Sequence, residues 1–135
     1  TITQQLAKNL LFTQEKKMER KVAEIFAVFD IEEKYSKEEI FELYVNTSNF
    51  GSGYNGVYAA SKGYFDKLPS ELTDYESALL AGVPNAPSLY SPDVNLKLAS
   101  QRVGEVLQSM VRESVLTQEE AEDIQRNIEI QRADE

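Results

Sequence analysis

Residues 36–46 read Ser-Lys-Glu-Glu-Ile-Phe-Glu-Leu-Tyr-Val-Asn, and this stretch decides the fold class. The Ser36 side chain can accept the backbone N–H of Glu39, and the Glu39 side chain can reach back to the backbone N–H of Ser36. This reciprocal pair is a capping box, which begins helices. Apolar residues then recur at helical spacing, at Ile40, Leu43 and Tyr44. The pattern predicts a helix that follows Ser36 and ends near Asn46.

Helical signals also precede this stretch. Apolar residues recur in a first short helix at Ile2, Leu6 and Leu10, with Leu11 beside them. A second, long helix is expected from Thr13, as N-cap, to about Lys34. Its apolar face is expected to consist of Met18, Val22, Ile25, Phe26 and Phe29.

Further helices are predicted downstream, at 57–65, after the capping box Thr73–Glu76, from about Asn95, and after the cap Thr117. Two irregular segments interrupt them. Residues 49–56 carry three glycines and predict a turn with positive φ, whereas residues 85–92 carry two prolines and predict an irregular loop. No β alternation appears, so the sequence predicts an all-α protein, with most Tyr and Phe residues in its core.

Composition excludes several chemistries. The 135 residues contain no His and no Cys, so neither a Ser-His-Asp triad nor a cysteine nucleophile can form, and zinc or haem sites of the usual ligation are excluded. The glycine-rich segment lacks the Gly-Lys-Ser/Thr of a phosphate-binding P-loop, which favours a structural turn. Apolar runs are only a few residues long, well short of the roughly 20 that cross a bilayer.

Charge is unevenly distributed along the chain, whose formal net charge is -9. Residues 1–21 contain five basic and two acidic residues, or +3, and the remainder contains nine basic and 21 acidic residues, or -12. A cationic segment on an acidic chain indicates one anionic group bound at one place. Nucleic acid requires a broad basic stripe, so no nucleic-acid partner is expected.

The cationic segment falls on the second predicted helix. At about 100° per residue, Lys16, Lys17, Arg20 and Glu24 share one sector, and the predicted apolar face lies opposite. Geometry alone favours a solvated face with a weak Arg20–Glu24 pair. The alternative is a catalytic carboxylate among cations that neutralise a departing phosphate. Three other carboxylates are interpreted as solvated residues or caps, at Glu38, Glu39 and Glu42.

Several motifs together resemble one family. They are Thr1-Ile-Thr-Gln-Gln5 with Lys8-Asn-Leu10, Arg20-Lys-Val-Ala-Glu-Ile25, Lys37-Glu-Glu-Ile-Phe-Glu-Leu-Tyr-Val-Asn46, Gly51-Ser-Gly-Tyr-Asn-Gly56, and Ala78-Leu-Leu-Ala-Gly-Val-Pro-Asn-Ala-Pro87. In this order, over residues 1 to about 92, they resemble the peptidoglycan glycosyltransferase domain of class A penicillin-binding proteins and monofunctional transglycosylases.

The resemblance implies a lysozyme-like helical fold at the extracytoplasmic face of the bacterial cytoplasmic membrane. It implies inverting transfer of a glycan chain, carried on undecaprenyl pyrophosphate, to the 4-hydroxyl of lipid II. By this match Glu24 is a catalytic carboxylate near the leaving pyrophosphate. Lys8, Lys16 and Arg20 would contact the donor phosphates, and Gln5 would help line the same substrate-binding cleft. A moenomycin-type inhibitor is expected to bind there, with no organic cofactor; assistance by a divalent cation such as Mg²⁺ stays open.

One family motif is absent. The sequence lacks Glu-Asp-x-x-Phe-x-x-His, whose Glu is the expected general base that removes the acceptor proton. Residues 1–135 are therefore expected to form a partial glycosyltransferase domain, inactive alone, with some apolar surface uncovered and membrane contact made through the parent protein.

Two alternatives remain at the level of sequence. The chain could be a non-catalytic helical module that binds anionic lipid headgroups or a cell-wall partner. It could also be a two-carboxylate glycoside hydrolase, although a hydrolase of neutral glycan needs no cationic face.

Overall fold

The structure, a computed structural model, describes residues 2–11 and 27–133. The helices among these residues are, in chain order, α1 (Ile2–Leu11), α2 (helical residues 27–34), α3 (Lys37–Thr47), α4 (Val57–Phe65), α5 (Asp74–Gly82), α6 (Pro87–Tyr90), α7 (Leu96–Arg112) and α8 (Gln118–Ala133). A 3-10 turn spans Pro69–Glu71. No strand occurs in these two ranges, where the β pairing is an isolated bridge between Asn49 and Asn55. The predicted all-α class is confirmed.

The chain divides into two compact units, Thr1–Ser48 and Asn49–Glu135. In the first unit, a small buried cluster joins α1, α2 and α3, and consists of Leu6, Ala7, Ile31 and Ile40. Ala27, Val28 and Leu43 pack against it. The predicted capping box starts α3: the Glu39 N–H donates to Ser36 Oγ at 3.2 Å, and the Ser36 N–H donates to Glu39 Oε1 at 3.0 Å.

The predicted apolar face of the second helix is wrong at its described end. Phe29 was expected in the core, but 69% of its surface is exposed. Ile31 is buried instead, and Ala27 and Val28 pack beside it. At about 100° per residue these three share a side of the helix that excludes Phe29. The helical positions derived from the sequence therefore placed in solvent the side of residues 27–34 that is in fact packed.

The second unit has the larger described core. Helix α7 presents Ala99, Val103 and Leu107 at i, i+4 and i+8. They pack in one cluster with Ala60 of α4, Ala121 of α8, four residues of α5, and Phe50 and Val83, which lie outside the helices. The α5 members are Tyr75, Ala78, Leu79 and Leu80. The expected cap at Thr73 is present, because its side chain accepts the Glu76 N–H. The helix expected from about Asn95 begins at Leu96, and the Asn95 side chain caps it by accepting the Leu98 N–H. The Thr117 N–H donates to Glu120 Oε1 at 3.0 Å, and the Glu120 N–H donates to Thr117 Oγ at 3.1 Å.

The two irregular segments follow the prediction in part. Gly51, Gly53 and Gly56 have φ values of 80°, 78° and 87°, as expected of the glycine-rich turn. The proline-containing loop is more regular than predicted, because Pro87 starts the short helix α6. Proline fits a first helical turn, since its missing N–H would have had no partner there.

Aromatic residues divide between core and surface. Phe50 and Tyr75 are buried, but more than half of the surface of Phe29, Phe41 and Tyr58 is exposed. The expectation that most aromatic residues are buried is therefore wrong for several of them. Helical periodicity identifies a face, but not how much of that face a neighbouring element covers.

Candidate functional site

The structure describes two of the five predicted site residues. Gln5 and Lys8 belong to α1, three residues apart. Lys16, Arg20 and Glu24 lie outside the described residues, so their assignment remains a prediction. Helix α1 buries Leu6 and Ala7 and exposes Gln5, as expected of an amphipathic helix with one side on a core.

Helix α3 supplies a hydrogen-bond partner for Gln5. The Tyr44 hydroxyl donates to Gln5 Oε1 at 2.9 Å, at a solvent-exposed position. One turn further along both helices, Asn9 Nδ2 donates to Thr47 Oγ at 3.4 Å. The Thr47 hydroxyl itself donates to the Leu43 carbonyl at 2.8 Å. Two side-chain hydrogen bonds therefore join α1 and α3 in addition to their apolar contact.

Sequence analysis missed the contact that Tyr44 makes. The helical stripe placed this residue with Ile40 and Leu43 in the core, whereas Tyr44 is half-buried and its hydroxyl reaches Gln5. A tyrosine at the edge of an aliphatic stripe was the available signal, because its ring packs while its hydroxyl requires a polar partner. Periodicity alone could not identify that partner on another helix.

The carboxylates of α3 behave as the sequence predicted. Glu39 accepts the backbone N–H of Ser36, and this bond, with a smaller contribution from the Ser36 side chain, lowers the pKa of Glu39 below its ordinary value of 4.5. Glu38 and Glu42 are exposed. The interpretation of these three residues as a cap and two solvated carboxylates is confirmed.

In the second unit, buried polar groups satisfy one another. Ser91 is fully buried, and its hydroxyl lies 2.7 Å from that of Tyr64. Tyr64 also donates to the Phe50 carbonyl at 2.7 Å. A Cβ at Gly51 would lie 2.8 Å from the Ser91 Cβ, so glycine permits this close approach as well as the positive φ. The glycine-rich segment is therefore a structural turn, as favoured from its sequence.

Glu76 is the buried carboxylate of the same unit. Lys67 Nζ and the Thr73 N–H each donate to Glu76 Oε1 at 2.8 Å. Burial by itself raises the pKa of Glu76, but the Lys67 and Thr73 hydrogen bonds and the Lys67 charge together outweigh it, so the pKa falls below 4.5. A carboxylate whose pKa is lowered stays ionised near neutral pH, which suits an ion pair that supports the structure better than a group that transfers protons.

The described residues form an open groove in each unit, and Gln5 does not line the groove of the first unit. One, of about 520 Å³ in the first unit, is lined by Ile2, Thr3, Glu32, Lys37, Glu38, Ile40 and Phe41. The other, of about 750 Å³ in the second unit, is lined mainly by polar residues of α7 and by Gln125. Within residues 2–11 and 27–133, no group of three or more acidic residues is placed to hold a metal ion. No helix in that part of the chain is both long and apolar enough to span a membrane.

The chain is similar in sequence to penicillin-binding proteins. It is 44% identical over 124 residues to penicillin-binding protein 2D of Bacillus subtilis, covering 92% of this chain and 18% of that protein. It is 46% identical over 123 residues to penicillin-binding protein 1A of Aquifex aeolicus, covering 91% of this chain and 17% of that protein.

The fold is also similar to a solved structure. The crystal structure of penicillin-binding protein 1A from Haemophilus influenzae matches with a TM-score of 0.62 and 31% identity, over 92% of this chain and 15% of that one. The chain thus spans less than a fifth of each of these relatives. The likeness confirms the helical, lysozyme-like fold that the motifs implied. The sequence model of the transglycosylase family matches residues 1–111, and the chain therefore belongs to the transglycosylase family.

Proposed function

We propose that the product of the complete gene is a peptidoglycan glycosyltransferase that polymerises lipid II into glycan strands. The observation that carries this proposal is the match to the transglycosylase family over residues 1–111. Relatives named penicillin-binding proteins, at 44–46% identity over about nine-tenths of this chain, support the same function.

The proposed reaction is an inverting substitution at the anomeric carbon of the donor glycan. The 4-hydroxyl oxygen of lipid II forms the new glycosidic bond, and the bond from the anomeric carbon to the pyrophosphate oxygen breaks. The acceptor proton passes to a general base, and undecaprenyl pyrophosphate leaves with the bonding electrons. The Glu of the missing first motif is the expected base, so this sequence does not supply it.

Within this reaction the residues of the chain stabilise the leaving group. Lys8, Lys16 and Arg20 neutralise charge that develops on the departing pyrophosphate, and Glu24 acts beside it. The exposed carboxamide of Gln5 adds a neutral donor on α1. Arginine suits this role because its guanidinium can donate to two phosphate oxygens at once.

The proposed partners are lipid II, the undecaprenyl-pyrophosphate-linked glycan chain and, through the complete gene product, the extracytoplasmic face of the cytoplasmic membrane. Catalysis requires no organic cofactor in this proposal. Dependence on Mg²⁺ is tested by measuring polymerisation after chelation with EDTA and again after Mg²⁺ is restored.

The decisive experiment measures lipid II polymerisation by the complete gene product and by its Glu24→Gln variant. Loss of a positioned catalytic carboxylate is expected to lower the rate on the order of 10²–10⁴-fold. Glu42→Gln is the matched control, because Glu42 is an exposed glutamate of α3. Normal turnover in Glu24→Gln with loss in Glu42→Gln would mean that the wrong carboxylate was assigned. Binding of lipid II without any glycan product from the wild-type protein would favour the non-catalytic module.

Binding of a moenomycin-type phosphoglycolipid tests the cationic residues separately from turnover. Arg20→Ala and Lys8→Ala are each expected to weaken binding by about 1 kcal/mol or somewhat more. The difference should shrink at high salt, because the Debye length falls from about 10 Å at 0.1 M to about 3 Å at 1 M. Lys37→Ala, which removes an exposed lysine of α3, should leave the affinity unchanged. Equal affinities for all variants would show that these cations are merely solvated.

A further inference from the structure

The hydrogen bond between Tyr44 and Gln5 determines which end of the Gln5 carboxamide is available to a ligand. The Tyr44 hydroxyl donates to Gln5 Oε1 at 2.9 Å. A carboxamide presents its oxygen and its NH₂ group in different directions, and only the NH₂ group donates. With the oxygen paired to Tyr44, the NH₂ group is the end left for solvent or substrate.

This orientation suits a phosphate ligand. Ionised phosphate oxygens accept hydrogen bonds, so they pair with the NH₂ group and are repelled by the carboxamide oxygen. A hydrogen bond received at the oxygen also polarises the amide, which strengthens the donors on its nitrogen. In the reverse orientation Gln5 would present an acceptor to an anion.

The same bond contributes little to holding the helices together. Leu6 and Ala7 of α1 are already buried against Ile40 of α3, and the Asn9–Thr47 link ties the next turn. The Tyr44–Gln5 bond lies at an exposed position, where water competes for both partners. Its main consequence is therefore the orientation of the side chain.

We infer that Tyr44 is a positioning residue, which holds the Gln5 carboxamide with its NH₂ group directed toward a phosphate of the donor substrate. This inference rests on the proposed function, because it takes Gln5 to contact the donor pyrophosphate. Tyr44 itself need not touch substrate: by donating to Gln5 Oε1 it holds the orientation with the NH₂ group free before the substrate arrives. The effect belongs to the class of preorganisation, in which a donor is fixed before charge develops.

The test is a double-mutant cycle in the complete gene product, with lipid II polymerisation as the readout. Tyr44→Phe removes the hydroxyl and keeps the packed ring, and is expected to lower kcat/KM about three- to tenfold, the value of one hydrogen bond. Gln5→Ala is expected to cost at least as much. In the Gln5→Ala background, Tyr44→Phe should have no further effect, because there is no carboxamide left to orient.

Two controls separate positioning from structural support. Thr47→Val removes the neighbouring α1–α3 hydrogen bond at nearly constant volume, and Tyr58→Phe removes the hydroxyl of an exposed tyrosine. Both should retain kcat/KM within about twofold, and the melting temperature of Tyr44→Phe should match that of the wild type. A loss in Thr47→Val as large as that in Tyr44→Phe would assign the effect to helix packing and overturn the inference.

The outcomes distinguish this inference from the proposed function. Absence of glycan product from the wild-type protein refutes both. A normal polymerisation rate in Gln5→Ala would show that Gln5 does not contact the substrate, and would overturn the inference. Polymerisation by the wild type would still support the proposed function. Two results would overturn the inference but leave the proposed function standing. One is a lowered kcat/KM in Gln5→Ala with a normal kcat/KM in Tyr44→Phe. The other is an equal loss of kcat/KM from Tyr44→Phe in the wild-type and Gln5→Ala backgrounds.

Discussion

The two compact units use their side chains differently. In the second unit, buried apolar residues from several helices meet in one cluster, and the buried polar residues Ser61, Glu76 and Ser91 have partners within the unit. In the first unit, the described core is a small cluster, and Gln5 is exposed on the helix that supplies half of it. The buried polar residues of the first unit are paired as well, Thr3 to Glu32 and Ser48 to the Tyr44 carbonyl, so the contrast lies in the described cores and in the exposed carboxamide of Gln5. Among the described residues, the larger core therefore lies in the second unit, which serves as a scaffold, whereas Gln5 and Lys8 lie on the first unit.

The largest expected effect contrasts the two cores. Leu107 is 1% exposed within the cluster of the second unit, so Leu107→Ala should lower the free energy of unfolding by about 3–4 kcal/mol. Ile40 is 7% exposed, so its side chain is less completely buried than that of Leu107, and Ile40→Ala should cost less, about 2 kcal/mol. Urea unfolding followed by circular dichroism measures both. A greater loss in Ile40→Ala would reverse the comparison.

The next effect concerns Glu76, the buried carboxylate of the scaffold. Glu76→Gln removes the charge-assisted bond from Lys67 and should lower the free energy of unfolding by about 1.5–2 kcal/mol near pH 7. The folded-state pKa of Glu76 lies below its ordinary 4.5, so its stabilisation is complete above about pH 4.5 and is lost as the pH falls through the lowered value. The difference between wild type and variant, measured by urea unfolding from pH 7 to pH 3, should therefore shrink. If the stability difference between wild type and Glu76→Gln grew as the pH fell, the predicted direction of the pH dependence would be wrong.

Helix caps provide a smaller and closely matched comparison. Thr73→Ala and Ser36→Ala each remove the side chain that accepts an N–H at the start of a helix. Loss of such a cap typically costs about 1 kcal/mol. The loss in Thr73→Ala should exceed that value, because the N–H left without its partner belongs to buried Glu76. The loss in Ser36→Ala should be smaller, because its capping box is exposed. Chemical denaturation of both variants checks the order, and equal losses would show that burial of the box is irrelevant.

The smallest expected effect is a gain in stability. Among the described residues, a Cβ at Gly104 of α7 would meet only Gln125, at 3.6 Å, so Gly104→Ala should raise the free energy of unfolding by up to about 1 kcal/mol through helix propensity. Gly63→Ala of α4 is the opposite case. Its Cβ would overlap the Tyr54 ring, and the cost of repacking that ring should outweigh the gain in helix propensity. Melting temperatures compare the two, and a rise for both variants would show that the Tyr54 ring moves aside freely.

The helix starts were predictable because their signals are local. The boxes Ser36–Glu39, Thr73–Glu76 and Thr117–Glu120 each form within four residues, and all three are present. Which side of a helix is covered depends on other elements, so the buried side of 27–34 and the exposure of Phe29 were missed. The Tyr44–Gln5 contact spans 39 positions and has no local signature. Glu24, Lys16 and Arg20 came from motif resemblance and helical phase, and they remain predictions.

The capping boxes also bear on the order of events during synthesis. Each box is complete once four consecutive residues are available, and needs no partner from a distant part of the chain. Helix nucleation is the costly step, and a cap that acts at the first turn lowers that cost where the helix must begin. A nascent chain leaves the ribosome from its N-terminus, so α3, α5 and α8 can each acquire a defined start before later residues exist. The first residue of each of these helices is thus fixed early. The slower step that remains is the packing of the helices' apolar faces against one another.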